Sequence, residues 1–386
     1  MKQRLTFRLA ALLILFSLIL TGCSEMKSVL TVNGEKQNAG YYSFYIHWQR
    51  DYMKELMKNA GYDIGAHIND QYSDTETVRE YIISTAKDRY LSYIAVTRKF
   101  DELGLTLSDE KKQEVETLFR DEWVAAYGED GIKNILSQLE LSETEFMSLL
   151  AVQTKSDALL EYYYGENGQT PVTLQMKKDY FNENYLRFKY VLLSTKTEDG
   201  TALPEDEIRR KQDLAKTLTE QGGSFEELVA QYSEDYTAIT DGMTEEERTA
   251  AENTNRRATE DGIICDKNGV FNQTLYQYYD ISVNANVITA LQGMEVGQVR
   301  SVETDNAIWV VKKYDLNESE TYFSEREAAI YQALYGEDFS AKYTRWLAEL
   351  NYVFDETALA EFDPANFSDL FTDLYHSGEN AASDKP

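Results

Sequence analysis

The chain is 386 residues long and carries 67 Asp and Glu against 38 Lys and Arg, a formal net charge of −29 at pH 7. A surface that acidic repels polyanions and stands off an anionic membrane, which argues against nucleic-acid binding. With two cysteines, four prolines and 42% hydrophobic residues, the composition describes a well-folded, mainly helical body of two or three domains, not a disulfide scaffold or a low-complexity stalk.

In chain order, Lys2, Arg4 and Arg8 precede an apolar stretch from Leu9 to Leu20, a basic segment followed by a run too short to span a bilayer comfortably. Leu20-Thr21-Gly22-Cys23 resembles a bacterial lipobox, in which small residues fit the signal peptidase and the cysteine thiol accepts a diacylglyceryl group. Residues 1–22 are therefore the expected signal peptide and Cys23 the expected lipidation site and membrane anchor. Removing the three cationic residues moves the net charge from −29 to −32. Cys265 is then the one remaining thiol, so no intramolecular disulfide forms and the fold rests on its core. No second apolar run of membrane length follows, and the rest reads as soluble and tethered outside the cytoplasm.

Val29 to Val32 reads as a strand closed by an Asn33-Gly34 turn. Tyr41, Tyr45, Trp48, Tyr52 and Leu56 recur at helical spacing to make one apolar face. Ser73 to Glu76 and Ser142 to Glu145 are capping boxes, Gly104 ends one helix, and Ser108 opens another with acids in its first turn. This predicts an all-helical lobe over 23–175. After Gly165-Glu166-Asn167-Gly168, a helix from Thr173 to Phe181 leads into a strand at Leu186 to Leu193. A helix after Pro204, a capping box at Ser224 to Glu227 and a hairpin of Val299–Val302 with Ala307–Val311 follow. That order predicts a compact α+β domain over 185–315, with an insertion at 236–285. Ser324 to Glu327 caps a long amphipathic helix, 320–355, expected to pack on the N-terminal lobe. The acidic segment 363–386 is expected to be disordered.

These motifs together resemble the SurA and PrsA foldases. The Val-x-x-Val-Asn-Gly strand, Gly104 to Glu110 and Leu141 to Phe146 look like their N-terminal chaperone lobe. Arg187 to Leu192, Ser224 to Val229 with Tyr232-Ser233-Glu234-Asp235, and Met294 to Val299 through Val311 look like the first strand, most recognisable helix and closing hairpin of a parvulin-type peptidyl-prolyl isomerase. The resemblance implies a fold of the α+β class: a helical chaperone lobe, a parvulin-like domain and a long C-terminal helix.

In that family the resemblance implies a histidine on the first strand, a histidine on the last strand and a cysteine or aspartate after Tyr-Ser. Here those positions hold Tyr190, Trp309 and Asp235, and His47, His67 and His376 all lie outside 185–315. A parvulin lowers the barrier of roughly 18–20 kcal/mol to X-Pro rotation by cupping the proline and bonding the twisted amide. Met243, Val287, Ile288 and Thr304 are the candidate cup residues. The charged stretch from Thr244 to Asp261 replaces the expected short connection. The reading is a degenerate domain, with Asp235 the one retained group and Tyr190 and Trp309 core-facing aromatics.

No metal or cofactor is expected. Asp266-Lys267-Asn268-Gly269 begins like a calcium loop but meets Gln277 where its closing glutamate belongs. His47 has no second ligand at metal spacing and reads as a packing residue; Glu245 to Glu247 read as a solvated loop. The function expected is an extracytoplasmic chaperone or foldase whose partners are unfolded, newly translocated polypeptides. The alternatives are an active parvulin-type isomerase using Asp235, and a surface peptide-capture or adhesion lipoprotein.

Overall fold

The structure is a computed structural model that describes residues 27–197, 199–240, 242–259, 261–270 and 283–371. The expected signal peptide, Cys23, Asp241, Gln277 and His376 lie outside the described residues. The elements in chain order are β1 (Leu30–Val32), β2 (Glu35–Gln37), α1 (Ala39–Asn59), α2 (Ile64–His67), α3 (Val78–Glu102), α4 (Asp109–Leu118), a π-helical turn (Phe119–Val124), α5 (Ala125–Leu139), α6 (Glu143–Leu150) and α7 (Val152–Tyr164). There follow α8 (Leu174–Asn184), β3 (Tyr185–Ser194), α9 (Glu205–Glu220), α10 (Phe225–Tyr232), α11 (Glu245–Thr259), β4 (Ile263–Asp266), α12 (Ala285–Gln292), β5 (Val299–Glu303) and β6 (Ala307–Tyr314). The chain ends through α13 (Glu320–Ser324), α14 (Glu327–Glu349), β7 (Tyr352–Phe354), α15 (Glu356–Leu359) and two 3₁₀ turns, Ala360–Phe362 and Pro364–Asn366. Mostly helical with small antiparallel sheets, this is an α+β fold.

Two compact units emerge: one takes residues up to Pro171 together with those from Glu337 on, the other Val172–Gly336. In the first, β1 is the middle strand of a three-stranded sheet ordered β2-β1-β7. Asn33 (φ 52°) and Gly34 (φ 85°) both sit in the left-handed region, as a two-residue hairpin turn requires. Sequence reading saw one strand here; β2 is too short and polar to announce itself, and β7 fell inside the expected 320–355 helix, which stops at Glu349.

Helix α1 is buried almost all round along its first half, from Ala39 to Asp51, while Tyr52 and Leu56 on the expected apolar face are exposed. It packs on α3, where the Tyr90 hydroxyl donates to the Asn38 carbonyl at 2.9 Å. The Ser142–Glu145 capping box forms, with Leu141 and Phe146 buried at its flanks. The Ser73–Glu76 box does not: those residues close a turn in which Tyr72 and Ser73 amides donate to the Glu76 carbonyl. Helix α3 starts later, on a Thr77–Glu80 box of the same chemistry. Residues from Glu337 on belong to this unit through Tyr164 hydroxyl to Asp338 at 2.7 Å and Tyr163 stacked on Trp346. The expectation of disorder from Asp363 fails over its first nine residues: Pro364, Leu370 and Phe371 are buried.

In the second unit a four-stranded antiparallel sheet is ordered β4-β3-β6-β5, with α9, α10 and α12 packed to it around Phe188, Val191, Val229, Val287, Leu291 and Val310. Strand β4 lies inside what read as an insertion; its run Ile263–Cys265 is buried but too short to register as a strand. A smaller cluster joins Phe181, Phe323 and Ile330. Ser324 ends α13 by donating to the Thr321 carbonyl, and α14 begins at Glu327 instead of at Ser324.

Candidate functional site

Strands β3 and β6 pair with Leu192 opposite Trp309 and Tyr190 opposite Val311, which sets the Tyr190 and Trp309 rings 4.8 Å apart. The exit of α10 is stitched to β3: Ser233 Oγ accepts from the Leu192 amide at 2.9 Å, and the Glu234 amide donates to the Leu192 carbonyl at 2.9 Å. That brings Asp235 to Tyr190, whose hydroxyl donates to Oδ2 at 2.7 Å, while Ser233 Oγ donates to Oδ1 at 2.5 Å. The three positions singled out from sequence do meet. They meet as a packed aromatic pair with both carboxylate oxygens accepting hydroxyl protons.

Tyr190 is 5% exposed and belongs to the core of the unit. The cup residues are dispersed. Val287 and Ile288 are buried in the core, contrary to their expected place on an open pocket, because the α12 face that carries them is the one turned to the sheet. Thr304 closes the β5–β6 hairpin through Ala307. Met243 lines an open cleft of about 570 Å³ beside Thr237, Thr240 and Ala250.

Sequence reasoning passed over a second cluster on the same sheet. Arg187 and Lys189 alternate with Leu186, Phe188 and Tyr190 along β3, yet are almost fully buried. Arg187 donates to the Asp261 and Asp315 carbonyls at 2.6 and 3.0 Å, pairs with Glu318, and lies over the Tyr322 ring at 4.5 Å. Lys189 pairs with Glu226 at 2.6 Å. Partial burial pushes the Glu226 carboxyl up, but hydrogen bonds from Lys189, its own amide and Ser224 outweigh that and bring it down to about 2. The signal available was a charged-apolar alternation in a strand with no solvent-facing side. Arg187, Lys313 and Tyr314 line a cleft of about 620 Å³ with Tyr185 and Lys267. Lys313 caps α12 by donating to the Leu291 and Met294 carbonyls.

Among the described residues no group of three or more His, Cys, Asp or Glu is arranged to hold a metal ion, and no helix is long and apolar enough to cross a membrane. Cys265 is buried, and desolvation pushes its thiol up to about 12, which makes it inert as a nucleophile.

The first unit offers a different surface. Tyr52, Leu56, Tyr62 and Tyr72 are all more than 40% exposed. Tyr72 stacks on Tyr81 at 4.1 Å, and Tyr62 meets His67 edge-on at 5.3 Å.

Neither a family model nor a curated protein matches the chain. Among solved structures, the foldase protein PrsA from Streptococcus pneumoniae is similar at 14% identity over 72% of this chain and 88% of that one, with a TM-score of 0.28. The foldase protein PrsA from Lactococcus lactis is similar at 14% identity over 90% and 99%, with a TM-score of 0.29. PrsA from Bacillus subtilis is similar at 13% identity over 80% and 98%, with a TM-score of 0.23.

Proposed function

We propose that the chain is a membrane-anchored extracytoplasmic chaperone of the foldase kind, which binds unfolded, newly translocated polypeptides through its first unit. The observation that carries this is the exposure of the large apolar side chains Tyr52, Leu56, Tyr62 and Tyr72 in the first unit of a strongly acidic protein. Accessible apolar area binds exposed apolar chain, and surrounding charge keeps the binder from associating with itself.

We read the second unit as a parvulin-like scaffold without isomerase chemistry. Its strand-helix order and closing hairpin support the scaffold. Tyr190 against Trp309, with Asp235 held by Tyr190 and Ser233, supports the loss. A twisting amide needs an open cup and a free proton donor or acceptor beside it, and Val287 and Ile288 are core residues.

The purified mature protein is expected to suppress aggregation of a reduced unfolded protein while leaving the isomerisation rate of a prolyl peptide near its uncatalysed value. Asp235→Ala leaves suppression unchanged. Rapid isomerisation that collapses in Asp235→Ala overturns the reading in favour of the enzyme. The anchor rests on the lipobox-like Leu20 to Cys23: Cys23→Ala is expected to remain unprocessed and unlabelled by fatty acid, and normal labelling of that variant refutes it.

A further inference from the structure

The last described residues occupy a groove along α1. The Phe367 ring stacks on His47 at 4.1 Å and 13°. Phe371, fully buried, sits in a socket of Phe44, Trp48 and Trp123 with ring centres 5.4 to 5.8 Å away. Between them Asp369 pairs with Arg50 at 2.9 Å and with Lys54. Ring, carboxylate and ring therefore alternate along the segment, every second side chain reaching α1.

The main chain is held as well. Asp51 Oδ2, on a side chain with no exposure, accepts the amides of Leu370 and Phe371 at 2.8 and 2.7 Å, while Oδ1 accepts from Arg50 at 2.7 Å. Arg50 Nε also donates to the Pro364 carbonyl at 3.1 Å. A buried carboxylate needs such partners. Two consecutive amides and a carbonyl are groups that any polypeptide offers, and main-chain hydrogen bonds that give affinity with side-chain pockets that give specificity are the division of labour of peptide recognition. On a protein of net charge −29, Arg50, Lys54 and Arg79 are concentrated where the segment brings Asp363 and Asp369.

We propose that this groove is a peptide-binding site, held in the free protein by its own segment 363–371, and that it accepts client segments presenting two aromatic side chains flanking a carboxylate at alternate positions of the chain. That the outside ligand is a client rests on the chaperone reading; the groove and its displaceable occupant do not.

The test uses the full mature chain, as wild type, Asp369→Lys and Phe371→Ala, with a fluorescein-labelled nonapeptide of sequence Asp-Pro-Ala-Asn-Phe-Ser-Asp-Leu-Phe as the probe. Asp369→Lys sets a cation against Arg50 and Lys54 from an exposed position and removes no buried ring, so it loosens the segment without hollowing the core. Because affinity scales with the fraction of open groove, both variants are expected to bind the probe at least about tenfold more tightly than wild type. Replacing the probe's last Phe by Ala, or N-methylating its last two amides, is expected to abolish that gain. Binding by Asp369→Lys no tighter than wild type, or indifferent to either change in the probe, overturns the proposal. A reduced, carboxymethylated unfolded protein is the second probe: a parallel gain supports client capture. A gain with the nonapeptide alone keeps the groove and overturns its assignment to clients.

Discussion

Asp235 and Asp51 each have both carboxylate oxygens engaged inside the fold. Only Asp235 was legible in the sequence, because it stands after a Tyr-Ser motif; Asp51 is one acid among many on a helix and gives no sign that its partners lie more than three hundred residues away. Loss of Asp235 removes the carboxylate to which the Tyr190 and Ser233 hydroxyls both donate, so Asp235→Ala is expected to cost about 1–3 kcal/mol in urea unfolding of the second unit. A second residue-scale prediction concerns His47. Burial, and secondarily Arg50, lower its pKa from 6.5 to about 4, and its Nδ1 has no hydrogen-bond partner. Between those values the unfolded chain takes up a proton that the folded chain refuses, so stability falls as pH drops through 6.5 toward 4, by an amount on the order of 3 kcal/mol. Arg50 is the charged group that acts on His47, and it is paired with Asp51 and with Asp369, which also meets Lys54. Asp51 is raised by burial despite its amide and Arg50 hydrogen bonds, which acts against the His47 effect as pH falls, and burial at Asp369 is outweighed by Arg50 and Lys54, which lower it and so act in the same sense as His47. His47→Gln is expected to flatten the dependence, read by thermal unfolding from pH 7 to 4.5.

Among the elements, those announced by backbone chemistry were readable and those made by pairing were not. Caps at Ser108, Ser142, Thr173 and Ser224 each accept an amide of the following helix, and the Asn33-Gly34 turn is a local requirement. Strands β2, β4 and β7 are three or four residues long and exist through their neighbours. Helix α1 defeated the one-face reading because α3 and the C-terminal segment both cover it, so its polar Gln49, Arg50 and Asp51 are buried along with its rings. Entry to β4 depends on Gly262, at φ +75°, where a Cβ would lie 2.6 Å from the Phe188 carbonyl oxygen. Gly262→Ala is expected to destabilise the second unit by at least about 2 kcal/mol, measured by the urea midpoint at which Cys265 becomes reactive to a thiol reagent.

At the scale of the whole molecule the trio Tyr190, Asp235 and Trp309 was legible through the family resemblance and its state was not: whether the three frame a cup or fill one depends on which way α12 turns. The C-terminal segment hid for a different reason, since an acidic, Ser- and Asn-containing stretch reads as solvated unless a cationic, aromatic receptor waits elsewhere in the chain. Removing residues 351–386 from a soluble chain that begins after Cys23 takes away β7 and the groove's occupant. Amide protection is expected to fall in β1 and α1 and to persist in β3 and β6, with Cys265 still unreactive. Loss of protection in β3 would count against separate units.

The pairing of Leu30 with Phe354 across the first sheet also sets a clock. A chain delivered N-terminus first at about 5–20 residues per second must keep its opening strand and first helices waiting roughly 15–60 s before their partners arrive. Residues 172–336, contiguous in sequence, can finish in the meantime. During that interval the ring-lined face of α1 is bare, so this protein passes through its own birth as the kind of chain it is proposed to catch.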